Sequence, residues 1–119
     1  MGTFKVTVEI GDPQGTQYRP IEALVDTGAT YTLMPATILE SLGVRKEERW
    51  PFELADGRIV QRDIGRTMVR LDGKRVLTVV IFGEQQESPL LGAYTLEGVR
   101  LAADPLRQRL IEVPGLPKK

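Results

Sequence analysis

Two Asp-Gly pairs constrain this chain more than any other feature. Asp56-Gly57 lies within the run Phe52 to Gln61, and Asp72-Gly73 within the run Met68 to Leu77. Asp-Gly flanked by alternating apolar residues is a strong signal for a two-residue β-hairpin turn, whose central residues take positive φ. Two hairpins are expected there, and the rest of the chain fits around them. Phe4, Val6, Val8 and Ile10 alternate as on a half-buried strand. The segment Gly11–Gln17 is dense in turn formers, and Tyr18–Val25 returns as a second strand. Val76–Phe82 is apolar except for Thr78, as on a strand covered on both faces. Val99–Asp104 and Leu106–Val113 read as a closing strand pair.

Helical signals are few and short. Pro35–Gly43 has Pro in its first turn and Gly at the C′ position, with Ile38, Leu39 and Leu42 as an inward stripe. Ala93–Glu97 can form one turn, with Gly98 behind it. The expected fold is therefore a mostly β single domain over residues 1–113 with one or two short helices, and 114–119 form a flexible tail.

Composition narrows function by exclusion. Lys plus Arg and Asp plus Glu are 16 each, so no broad basic field exists to hold nucleic acid or an anionic membrane. The cluster Arg45-Lys46-Glu47-Glu48-Arg49 reads as a solvated loop. No apolar run approaches the ~18 residues of a membrane span. The N-terminus alternates like a strand and lacks the apolar block of a signal peptide, and Val6 breaks the myristoylation pattern. The expectation is a soluble, cytoplasmic protein. With no Cys and no His, thiolate nucleophiles, Ser-His pairs and Cys- or His-ligated zinc are all excluded. Neither serine, Ser41 or Ser88, lies in a Ser-x-x-Lys motif, and no phosphate-binding Gly-rich loop is present. Unaided catalysis would fall to carboxylates.

One carboxylate stands apart. Asp12, Asp56, Asp72 and Asp104 sit beside Gly or Pro in turns, and Asp63 lies in a polar strand stretch. Asp26 instead follows the apolar Ala23-Leu24-Val25 directly and precedes Thr27-Gly28-Ala29. Gly28 permits a close backbone approach, and the Thr27 hydroxyl can bond neighbouring backbone. Such a setting can hold a carboxylate rigidly in a cleft floor, or simply end a strand in a turn.

Asp26-Thr27-Gly28-Ala29-Thr30 after that apolar run resembles the active-site signature of the aspartic proteases. Leu90-Leu91-Gly92 resembles the hydrophobic-hydrophobic-Gly motif that packs against their catalytic loop. One signature in a chain of 119 residues matches the single-domain, retropepsin-like family, and the order of elements agrees over most of the chain. The resemblance implies an all-β, retropepsin-like closed barrel and an endopeptidase with no metal or organic cofactor. It assigns catalysis to Asp26, and to Thr27 and Gly28 the active-site loop and the grip between subunits. It places an extended peptide against Gly28, Ala29 and Thr30, beneath a flap carrying Ala55, Asp56 and Gly57. The second catalytic carboxylate must come from a second copy across a two-fold axis. Two carboxylates so close cannot both ionise, and they share one proton.

The chain also departs from the retroviral pattern. Its flap has one Gly at the tip, the helix Pro35–Leu42 is inserted before the flap, Thr30 stands where relatives often have Asp or Ser, and the closing strand pair is longer. Two other readings stay open: a non-cleaving peptide-binding or scaffold dimer of the same fold, and an unrelated small β domain whose Asp26 binds a cation.

Overall fold

A computed structural model describes residues 3–115; the expected tail lies outside the described residues from 116 onward. The elements follow in the order β1 (Phe4–Gly11), β2 (Tyr18–Val25), β3 (Thr32–Pro35), α1 (Ala36–Ser41), β4 (Glu48–Glu53) and β5 (Ile59–Leu71). Then come β6 (Lys74–Gly83), β7 (Leu90–Leu91), α2 (Ala93–Gly98), β8 (Leu101–Asp104) and β9 (Arg109–Glu112). The fold is all-β with two short helices, as expected.

Strands β1, β2, β7, β3, β6 and β5 pair in that order, and β5 pairs back onto β1 at Glu9↔Arg70 and Ile10↔Val69. The ladder thus runs round a ring, with β4 outside it on β5. Inside lie Val8, Ile10, Val25, Met34, Leu39, Val69, Val80, Leu91 and Val99, each fully buried. Strands β8 and β9 form a separate two-stranded sheet, with Leu101 buried in the same core.

The two Asp-Gly turns differ. At Leu71↔Lys74 the β5–β6 hairpin closes through Asp72 (φ 55°) and Gly73 (φ 77°), the two-residue turn expected from the sequence. Between β4 and β5, Leu54 donates its N–H to the Arg58 carbonyl at 2.8 Å, and Gly57 donates to Leu54 at 2.9 Å. Only Gly57 has positive φ (88°). This is a three-residue loop, a type I turn followed by a left-handed glycine, and it corrects the two-residue expectation. The Asp56 carboxylate explains the difference: it accepts from the Arg58 amide at 3.0 Å and the Arg58 guanidinium at 2.8 Å, holding the turn from within. These bonds hold its carboxyl below the ordinary value. Other boundaries also shift. Glu48 and Arg49 begin β4 instead of lying in a loop, and Gly98 ends α2 within its last turn, close against Val76.

The β1–β2 turn is organised by Asp12, a buried carboxylate. It accepts from the Thr16 hydroxyl at 2.6 Å, the Thr16 amide at 2.7 Å and the Gln17 amide at 3.0 Å. The Thr16 hydroxyl, then the Gln17 amide, hold its carboxyl below the usual value. A depressed carboxyl contributes stability that is present above its unfolded value and lost as pH falls toward the folded one. Asp12→Asn is therefore expected to flatten the acid limb of the thermal midpoint against pH, compared with wild type. An acid limb of unchanged slope would show that this turn does not contribute to it.

Candidate active site

Strand β2 delivers Asp26 to a fixed point. Residues Leu24 and Val25 pair in parallel with Leu90 and Leu91 of β7. Leu24 donates to the Pro89 carbonyl at 3.0 Å, and Asp26 donates to the Leu91 carbonyl at 3.1 Å. The chain then turns: Ala29 donates its amide to the Asp26 carbonyl at 3.0 Å, and Gly28 donates to Asp26 Oδ1 at 3.0 Å. A Cβ on Gly28 would stand 3.2 Å from that oxygen, so a side chain there would crowd the carboxylate. Asp26 is half-buried, while Thr27 and Gly28 are exposed.

The start of α2 locks the far side of the loop. Ala93 donates to the Ala29 carbonyl and Tyr94 to the Thr30 carbonyl, both at 2.9 Å. Gly92 donates to the buried Thr32 Oγ1 at 3.1 Å. The Thr32 and Thr95 hydroxyls lie 2.7 Å apart, and Thr95 and Thr78 2.8 Å apart, a buried chain joining β3, α2 and β6. The Leu90-Leu91-Gly92 motif therefore does what its resemblance implied: it packs against the loop that carries Asp26.

Asp26 borders a cleft of about 790 Å³. Gly28, Ala29 and Thr30 line it from the loop, as expected. From the β4–β5 hairpin, Leu54 and Ala55 line it, whereas Asp56 and Gly57 at the tip do not, nor does Thr27. Three further walls were not singled out from sequence. Tyr31 and Leu33 come from the segment after the loop, Trp50 and Phe52 from β4, and Arg62 and Glu87 close one end. The signal for the β4 wall was available: Trp50 and Phe52 are two residues apart, so they share one strand face. The charged run before them masked it.

A smaller depression of about 350 Å³ lies beside Pro35, Lys46, Arg49 and Asp63, without Asp26. Its charges serve each other: Asp63 pairs with Arg49 at 3.2 Å and Lys46 at 3.7 Å. Among the described residues, no group of three or more Asp, Glu, His or Cys side chains gathers to hold a metal ion. Nor is any helix long and apolar enough to cross a membrane.

Comparisons with known proteins agree with this geometry. The solution structure of simian foamy virus (mac) protease superposes with a TM-score of 0.56 at 24% identity, covering 78% of this chain and 91% of that one. That likeness carries the fold. A search of curated proteins returned no match. The family model described as gag-polyprotein putative aspartyl protease matches residues 15–98, which run from the β1–β2 turn through the Asp26 loop and the β4–β5 hairpin to the end of α2. Well over half of the chain is covered, both motifs included, and the chain belongs to this retroviral-type aspartyl protease family.

Proposed function

We propose that this chain is an aspartic endopeptidase that works as a symmetric homodimer, with the two Asp26 carboxylates facing each other across the two-fold axis. The observation that carries the proposal is the state of Asp26 in one chain. Its backbone is fixed by Leu91 and Ala29, its side chain accepts only the Gly28 amide among the described hydrogen bonds, and it borders an open cleft with Thr27 and Gly28 exposed beside it. A carboxylate so placed is held ready and lacks its mate.

The chemistry then follows from two oxygens' worth of acid and base. One Asp26, ionised, takes a proton from a water as the water oxygen bonds the peptide carbonyl carbon. The other, protonated, gives its proton to the carbonyl oxygen. The resulting gem-diol collapses: the C–N bond breaks as one carboxyl gives its proton to the leaving nitrogen and the other carboxylate takes a proton from a diol hydroxyl, which restores the pair. The Gly28 amide fixes the orientation of the carboxylate through its hydrogen bond to Oδ1. The exposed Thr27 suits the grip between subunits that family resemblance gives it. The β4–β5 hairpin closes over an extended peptide and excludes water.

A site split between two chains makes activity depend on assembly. Peptidase activity per mole of chain should fall on dilution, in step with dissociation of the dimer followed by light scattering at the same concentrations. Full activity per chain in a sample shown to be monomeric would overturn the proposal.

A further inference from the structure

The cleft carries a second feature that peptide hydrolysis does not require. Three buried residues, Ile64, Val79 and Ile81, form a small hydrophobic cluster apart from the main core. Packed against it are Tyr31, Leu33, Trp50 and Phe52, all only partly buried. Large apolar side chains half-covered along one wall leave surface for an occupant to cover.

The wall is ordered, and mostly aromatic. The chain has one Trp, three Tyr and three Phe, and four of these rings gather here. Tyr31 meets Trp50 edge-on at 5.6 Å between centroids and Tyr94 edge-on at 5.9 Å. Trp50 lies 6.3 Å from Phe52. The Trp50 indole donates to Glu48 Oε1 at 2.6 Å, which fixes its tilt. Cross-strand register does the rest: Trp50 faces Arg62 and Phe52 faces Val60, so all four project from the same face of the hairpin toward the cleft. At one end, Arg62 is held by Glu87 at 3.2 Å, and its side chain is 15% exposed. The trough is continuous with Gly28, Ala29 and Thr30, so a peptide lying on the loop runs past it.

We propose that Tyr31, Trp50 and Phe52 form a specificity subsite that selects an aromatic side chain of the substrate over an aliphatic one. Rings in edge-on contact gain from a further ring more than its buried area alone supplies. Rigid walls keep that gain, because Tyr31 is held between two neighbours and Trp50 by Glu48. The proposal rests on the peptide-cleaving reading for its symmetry: a homodimer has two troughs, so the preference falls at one position on each side of the scissile bond.

The test does not depend on turnover. Trp50 is the only tryptophan, so its emission reports occupation of the trough directly. A series of extended octapeptides with a reduced, uncleavable central bond is titrated into wild-type protein, with Phe or Leu placed at each position in turn. At one position on each side of the central bond, the Phe peptide should bind about three- to tenfold more tightly than its Leu partner and shift the emission. Tyr31→Leu should bring the two within twofold, and Tyr31→Phe, which keeps the ring, should restore the preference. Equal binding of Phe and Leu at every position in wild type, or a preference that survives Tyr31→Leu, would overturn the subsite. An emission unmoved by every peptide would do the same. Tight, Phe-selective binding without cleavage of the matching scissile peptides would uphold the subsite and remove the peptidase reading instead.

Discussion

Asp26→Asn protein should fold and dimerise as wild type does and cleave no peptide. The substitution removes one acid-base group from each subunit, hence both from the paired site. A positioned acid or base contributes about 10²–10⁴-fold, so losing both roles at once should lower the rate by at least about a thousandfold. Nothing in the fold needs the charge. The bonds that hold the residue run through its backbone, from its amide to Leu91 and from Ala29 to its carbonyl. Its side chain accepts one hydrogen bond, from the Gly28 amide, and an Asn carbonyl oxygen can accept it equally. In the dimer, Asn also removes the like-charge repulsion that rises when pH drives the shared proton off the pair, so stability should hold or rise, most at neutral or higher pH. A turn-forming structural Asp26 predicts the opposite pattern: a lower thermal midpoint, and activity that declines only with the folded fraction. Activity, midpoint and light scattering on the same preparation separate the two. Folded, dimeric Asp26→Asn protein cleaving at the wild-type rate would end the aspartic-protease reading.

What could be read from the sequence was whatever local chemistry decides. Asp72-Gly73 specifies its turn because both residues accept positive φ, and the turn closes as the dipeptide requires. Pro35 and Gly43 bracket α1 in the same way, with Gly43 at φ 77° beyond the helix. Asp26 was legible because a carboxylate directly after an apolar strand is uncommon, and Gly92 because Leu90-Leu91-Gly92 resembles the family's second motif.

Features decided by distant partners were not legible. Asp56-Gly57 is a local exception: it has the same dipeptide as the second turn, but its neighbour Arg58 bonds the Asp56 carboxylate within a longer loop, so the dipeptide alone does not fix the turn length. Strand β5 runs unbroken for 13 residues and serves both hairpins, whereas the sequence shows two separate runs, one ending at Gln61 and the next beginning at Met68. Its continuity comes from β4 on one side and β6 on the other. Gly65 illustrates the same limit: a Cβ there would lie 2.2 Å from the Arg45 carbonyl, 20 positions away, and nothing near Gly65 in the chain announces that approach. The aromatic trough was missed for this reason too. Tyr31, Trp50 and Phe52 meet only once the hairpin folds over the segment after the loop.

Gly92→Val should destabilise the protein by about 3 kcal/mol or more, the upper end of overpacking costs. The reason is space, not conformation. Gly92 has φ −96° and ψ 170°, extended backbone that any residue adopts. A Cβ built on it, however, would stand 2.6 Å from both the carbonyl carbon and oxygen of Tyr31 and 2.7 Å from the Thr30 carbonyl oxygen. All three are backbone atoms, so no rotamer change makes room. The segment itself must move, and it is tied down: Tyr94 bonds the Thr30 carbonyl, Ala93 bonds the Ala29 carbonyl, and Gly92 bonds Thr32. For a chain of this length, such a cost lowers the thermal midpoint by roughly 10 °C. Gly92→Ala should already show most of it, since the clash begins at Cβ. Gly43→Ala serves as the contrast. That glycine has nothing within 4 Å of a Cβ but sits at φ 77°, so its cost is backbone strain of about 1–2 kcal/mol. The residual folded fraction of Gly92→Val should also lose activity per folded chain, because the displaced segment carries Ala29 and Thr30 beside Asp26. A Gly92→Val midpoint equal to wild type would mean that β7 does not press against the loop, and the support of Asp26 would have to be sought elsewhere.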